Sequence, residues 1–276
     1  MIKISFLGDI MCEKPFLKSA RRGKSYDFSE FLKPCGELFR NSNYIIGNLE
    51  TPCDSSSNLT KDMFVFNAPA DFLKAIKDSG INFLTTATNH CLDRGITGLK
   101  NSIKLMDDIE ICHTGTFASP SEKKYYVVKL SDGTKVAILS YTYGTNYMDN
   151  KVRIPENELY AINYLTPLFS GRNKAYDEMS YTLRARVTRM IPRGLRVWIN
   201  SAVGRSSKLS FIDKIQEGDV SNKHLNEIQE TIQMAKEEAD LVFVCPHFGG
   251  QFNIKPGSYV RTYTEFFQDN NVDVMV

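Results

Sequence analysis

Four short apolar runs, far apart in the chain, end in the same kind of polar cluster. "IKISFLGD" (2–9) closes on Gly8-Asp9, "NYIIGNLE" (43–50) on Gly47-Asn48-Leu49-Glu50, "INFLTTATNH" (81–90) on Asn89-His90, and "LVFVCPH" (241–247) on His247. Each run is rich in β-branched or aromatic residues and bounded by polar ones, the pattern of a strand. Helical signals lie between them. "PADFLKAIKDSG" places Pro69 near a helix start, Phe72, Leu73 and Ile76 on one face, and Gly80 at the stop. A second helix carries Leu99, Ile103 and Met106 on one stripe, and a third, in "NKHLNEIQETIQMAKEEAD", carries Leu225, Ile228, Ile232 and Ala235. Further strands are expected at 109–113, 124–130, 135–144 and 272–276, and a further helix around "YVRTYTEFFQDN". Strand, helix, strand order implies parallel pairing in a layered α/β architecture. In such sheets the carboxyl ends of the strands share one rim, where ligands bind. Asp9, Glu50, Asn89 and His247 are therefore expected to converge there.

Two carboxylates, an amide oxygen and an imidazole form an O/N donor set suited to Mn²⁺, Mg²⁺ or Zn²⁺ rather than to a thiolate-seeking ion. Any one of these residues also has a plainer explanation. Asn and Asp collect at strand ends because their side chains bond nearby backbone. Only the recurrence at four strand ends argues for chemistry.

Composition excludes several classes. Apolar residues at 42% and charged residues at 24% are ordinary globular usage, against disorder or a fibre. No apolar run approaches the roughly 18 residues of a membrane span, and the start "MIKISFLGDIMC" is too short an apolar run to read as a leader. A cytoplasmic chain is the expectation. Cys12, Cys35, Cys53, Cys91, Cys112 and Cys245 include no CxxC pair and read as buried thiols in a reducing compartment. A Walker loop, a GxSxG elbow and a GxGxxG fingerprint are all missing. Residues 149–208 differ from the rest: eleven Lys or Arg against five acids give them +6, leaving −4 on the remainder of a chain whose total is +2. They read as a basic insertion within a single domain spanning 1–276. A solvated face is the default reading of such a segment, and contact with an anionic polymer the functional one. No nucleic-acid motif accompanies its arginines, so nucleic acid is not expected as a partner.

"LGDIMC", "GNLETP", "TATNHCLDRG", "SYTYGTN" and "CPHFGG", in this order, resemble the bacterial capsule-synthesis CapA family (PGA_cap). That family is named for poly-γ-glutamate capsule biosynthesis and is similar in fold to calcineurin-like metallophosphoesterases, an α/β/β/α sandwich. The resemblance implies metal ligation by Asp9, Glu50, Asn89 and His247, with one divalent ion or two. It makes His90 the acid of a phosphoester hydrolysis and Asp93 the residue that orients it. Asn48, Asn146 and Gly249 become substrate-side residues, with Gly249 and Gly250 admitting a ligand close to the backbone. The chain departs from the pattern at Met11, where the superfamily's first motif would have a histidine. The family also continues past its last strand into a GHHPH-type turn. Ending at Val276, this sequence is expected to be C-terminally incomplete, to hold at most one ion, weakly, and to show little or no hydrolysis. The expected function is a CapA-like role in capsule or poly-γ-glutamate biosynthesis, with a phosphoesterase-type site and partners in a capsule-synthesis complex. A phosphoesterase for another small substrate and a non-catalytic polyanion-binding module are the alternatives. The family is often anchored outside the membrane, which is the alternative to the cytoplasm.

The other histidines and aromatics carry less. His113 follows a strand and touches substrate in one reading. His224 reads as helix surface, Tyr143 as cleft lining or core, and Trp198 as packing within the basic segment.

Overall fold

The structure is a computed structural model and describes residues 2–60, 65–146, 150, 152–166, 190–192, 195, 222–249 and 256–276. In chain order its elements are β1 (Ile4–Ile10), α1 (Lys14–Ala20), β2 (Arg21–Arg22), β3 (Ser25–Tyr26), α2 (Ser29–Leu38), β4 (Tyr44–Leu49), α3 (Ala70–Asp78) and β5 (Phe83–Thr85). There follow α4 (Gly95–Asp108), β6 (Cys112–Thr114), β7 (Tyr126–Lys129), β8 (Lys135–Thr142), α5 (Asn222–Glu238), β9 (Leu241–His247), α6 (Ser258–Asp269) and β10 (Val274–Met275). A 3-10 turn occupies Glu156–Ala161. The chain divides into two compact units. One comprises Met1–Leu165, Glu230–His247 and Val272–Val276, the other Thr166–Gln229 and Phe248–Asn271.

The first unit contains two four-stranded sheets, ordered β1-β4-β5-β6 and β10-β9-β8-β7. Every neighbouring pair is parallel except β7 and β8, which form an antiparallel hairpin closed by a turn at Gly133, where φ is +94°. The parallel pairing expected of strand, helix, strand order holds elsewhere in these sheets and does not apply at this connection, which has no helix. Five residues between β7 and β8 leave no room for the crossover a parallel pair needs.

Side chains alternate across a strand, so each strand offers one row to each face. Ile46 and Phe83 of the first sheet pack with Val128, Val136, Ile138 and Phe243 of the second, and Ile4, Phe6, Tyr44, Leu241 and Cys245 border them. These rows form the core between the sheets. Outside the first sheet, α3 buries Phe72, Leu73 and Ile76 and α4 buries Leu99, Ile103 and Met106. Outside the second, α5 buries Ile232 and Ala235, and its Thr231 hydroxyl bonds the Tyr141 phenol of β8. Helix, sheet, sheet and helix follow one another, the layered α/β sandwich expected.

Helices α1 and α2 and the β2-β3 hairpin lie where the periodicity reading placed no element. Phe16, Phe28 and Phe72 meet there edge to face at 5.1–5.9 Å between centroids, tying the segment to α3. Residues 152–166, the start of the basic segment, are also described. Ile162 bridges to Thr116 and Tyr164 to Thr142 in the first unit. Arg184, Arg186, Arg189 and Trp198 lie outside the described residues. In the second unit, Tyr259, Tyr263 and Phe267 form the buried stripe of α6, and the Tyr259 hydroxyl bonds Thr166.

Candidate metal centre

The rows that fill the core also build the site. Following each inward row to the carboxyl end of its strand gives Ile4, Phe6 and Asp9 on β1; Tyr44, Ile46, Asn48 and then Glu50 on β4; Phe83 and Thr85 on β5; and Leu241, Phe243, Cys245 and His247 on β9. Each row changes from apolar to polar as it leaves the core. Strict alternation on β1 would turn Gly8 inward and Asp9 away. However, Phe6 pairs with Ile46 and Asp9 with Asn48, so β1 holds one residue more than β4 between these rungs. This bulge restores Asp9 to the inward row.

One carboxylate oxygen from Asp9, one from Glu50 and one imidazole nitrogen of His247 lie within 4.8 Å of one another. The Glu50 Oε1 to His247 Nε2 distance is 3.5 Å, and Asp9 Oδ1 is 4.0 Å from His247 Nδ1. Asn89 Oδ1 accepts a hydrogen bond from His247 Nε2 at 2.8 Å, which puts the fourth expected ligand at the same place. Oxygen and nitrogen donors bond divalent ions at about 2.0–2.6 Å, so atoms spaced this way can share one ion. The donor set thus fits a single divalent cation. Asn48 Nδ2 donates to Asp9 Oδ1 (2.7 Å) and to Glu50 Oε2 (3.2 Å), and the Tyr143 ring stacks on His247 at 6.3 Å.

The electrostatics match a cation site. Glu50 is 4% exposed, and burial, reinforced by the charges of Asp9 and Asp93, pushes its carboxyl up to about 8. Burial pulls the His247 imidazole down to about 4, against the opposing effect of Asp9. The Glu50 shift marks a carboxylate whose charge an added cation would stabilise, and the His247 shift keeps that imidazole neutral, the form in which it can ligate a metal.

A second cluster adjoins the first through Asn89. His90 Nδ1 donates to Asp93 Oδ2 at 2.7 Å, and that oxygen also accepts the Phe66 amide at 2.8 Å. Asn150 Nδ2 donates to Asp93 Oδ1 at 3.2 Å. With Nδ1 committed as the donor, Nε2 of His90 is the acceptor, and Asn146 Nδ2 lies 3.1 Å from it. Asn146 Oδ1 in turn accepts from Asn89 Nδ2 at 3.0 Å, which leaves Asn89 Oδ1 turned toward His247. The Phe66 ring meets the His90 ring edge-on at 4.6 Å.

This constellation occurs in a chain whose residues 3–276 match the sequence profile described as bacterial capsule synthesis protein PGA_cap. The chain belongs to that family. PGA_cap proteins have a metallophosphoesterase-like fold, in keeping with the two-sheet sandwich. Among relatives, the PGA biosynthesis protein CapA of Bacillus subtilis (strain 168) is 26% identical over 147 residues, covering 51% of this chain and 37% of that one. The capsule biosynthesis protein CapA of Bacillus anthracis is 27% identical over 146 residues, covering 51% and 34%. The matched stretch spans little more than a third of each relative's length.

Within this PGA_cap chain, Asp9, Asn48, Glu50, Asn89, His90, Asp93, Asn146 and His247 form one connected polar network. Asn146, expected on the substrate side, links Asn89 to His90, and Asn48, expected there too, links the two carboxylates. Gly249 falls in the second unit, and Gly250 lies outside the described residues. His113 bonds Asp107 through Nε2 at 3.1 Å, and His224 pairs with Glu227 at 3.6 Å. Thr85, Phe66 and Asn150 were missed by sequence reasoning. Thr85 carried a usable signal, being the last inward residue of β5. Phe66 reaches Asp93 from a loop, and Asn150 lies one helical turn beyond Asn146, where no periodicity points to it.

Proposed function

We propose that this PGA_cap protein acts in capsule or poly-γ-glutamate biosynthesis through a divalent-cation site of phosphoesterase type. One observation carries the reading: the Asp9, Glu50 and His247 donor atoms lie within 4.8 Å of one another, beside a buried His90-Asp93 pair. Asp9, Glu50, Asn89 and His247 would hold the ion. When bound, a divalent ion supplies Lewis-acid polarisation of a phosphoryl oxygen and lowers the pKa of a water molecule. Asp93 holds the His90 ring by its Nδ1 proton, so that Nε2, once protonated from solvent, can give that proton to the leaving oxygen of the substrate. Asn146 occupies Nε2 meanwhile and keeps the ring facing the metal ligands. The family assignment supports the capsule pathway, and the substrate class that goes with this reading is an anionic polymer or a phosphoester.

The test combines elemental analysis after dialysis against Mn²⁺ or Zn²⁺ with hydrolysis of a generic phosphodiester. One ion per chain is expected, and whatever turnover the chain shows should depend on it. His90→Ala should lower that turnover by roughly 10² to 10⁴ while metal content holds. Loss of metal in His90→Ala would exchange the roles of ligand and acid. Salt-sensitive binding of polyglutamate without turnover would replace the enzyme with a binding module.

A further inference from the structure

Asp9 is the weakly held member of the donor set. Its side chain is 58% exposed, against 5% for Glu50 and 18% for His247, so packing does little to fix its rotamer. What reaches it is the Asn48 amide, whose Nδ2 donates to Asp9 Oδ1 at 2.7 Å and to Glu50 Oε2 at 3.2 Å. An amide can turn over, exchanging its oxygen for its nitrogen. In that orientation Asn48 Oδ1 would face both carboxylates, acceptor against acceptor, and Asp9 would lose its tether.

The orientation is set from the other side. Thr85, buried at the end of β5, donates its hydroxyl hydrogen to Asn48 Oδ1 at 2.8 Å. Its second contact, to the Gly47 carbonyl, is longer at 3.4 Å, and a hydroxyl has a single hydrogen to give. Parallel pairing places Thr85 opposite Asn48, as it places Asn48 opposite Asp9. Three adjacent strands thus pass one orientation along a line of hydrogen bonds, from hydroxyl to amide to carboxylate.

We infer that Thr85 is a positioning residue for cation binding: its hydroxyl locks the Asn48 amide so that the amide N–H group holds Asp9 and Glu50 at the spacing one divalent ion requires. The inference rests on the cation-site reading proposed above and adds to it a residue that touches no ligand atom. Partners of this indirect kind orient the ligating groups, and their loss weakens metal binding without removing a ligand.

Thr85→Val keeps the branched shape and removes the hydroxyl; Thr85→Ser keeps the hydroxyl and removes the methyl. The affinity of wild type and both variants for Mn²⁺ alone is measured by titration calorimetry, and thermal melting is measured in EDTA. Thr85→Val is expected to weaken Mn²⁺ binding by about 10- to 100-fold, with Thr85→Ser remaining near wild type. Equal affinity of Thr85→Val and wild type overturns the inference. So does a loss in Thr85→Ser matching that in Thr85→Val, or a loss of affinity that only tracks a fall in EDTA melting, since either makes the contribution one of packing. A wild-type protein that takes up no Mn²⁺ gives a different result, removing the cation site and the inference with it.

Discussion

Glu50 sets stability against function. It is a carboxyl with 4% exposure, facing Asp9 and Asp93, with the Asn48 amide as its hydrogen-bond donor. At neutral pH the fold must hold a poorly solvated charge or take up a proton, and either lowers its stability relative to a neutral side chain. Glu50→Gln keeps the size and removes the conflict. That variant should melt at a higher temperature than wild type in EDTA at pH 7 and should fail to retain Mn²⁺ after dialysis. Lower melting would show instead that the carboxylate is already well compensated. Such opposition is common where a site is arranged for a ligand rather than for the empty fold.

At the scale of the element, the bulge in β1 decides whether the site exists. Asp9 belongs to the inward row only because Leu7 and Gly8 together stand against Gly47 alone. Gly47 also sits closely against β1, since a Cβ there would come within 2.5 Å of Ile10 Cδ1. One alanine inserted between Gly8 and Asp9 should turn the carboxylate to the opposite face, because strand faces alternate with every residue. Mn²⁺ binding should disappear in the titration, with far-ultraviolet circular dichroism close to that of wild type. Retained binding would mean that the strand absorbs the extra residue by widening its bulge.

Over the whole molecule, the candidate ligands come from both sheets and from opposite ends of the chain. Asp9 and Glu50 end strands of the first sheet and His247 ends a strand of the second. An ion held by all three would join the layers as the core between them does. Binding to the folded state alone stabilises it by mass action, about 2.7 kcal/mol at an ion concentration one hundred times Kd. Unfolding by urea with and without Mn²⁺ should therefore show a shifted midpoint with an unchanged slope, and His247→Ala should abolish the shift. A shift that survives in His247→Ala would place the ion elsewhere.

The sequence by itself determined the class of fold and the four strand-end residues that the folded chain brings together. Short strand signals ending in Asp9, Glu50, Asn89 and His247 require only that the strands run parallel for their ends to meet, and element order sets that direction locally. The capsule-synthesis motifs were legible for the same reason, each being a contiguous run at a strand end. The antiparallel β7-β8 hairpin and the α1-α2 segment were less legible. The hairpin depends on a short turn, and the helices of that segment are held by phenylalanine contacts to α3 rather than by a strong period of their own. Only the tertiary structure decided the bulge that turns Asp9 inward, because strand alternation depends on the neighbouring strand's register. It alone assigned Asn146 to link Asn89 with His90 and Thr85 to hold Asn48. Those roles are relations between side chains brought together by strand pairing and loop packing, and spacing along a chain does not encode which amide hydrogen meets which oxygen.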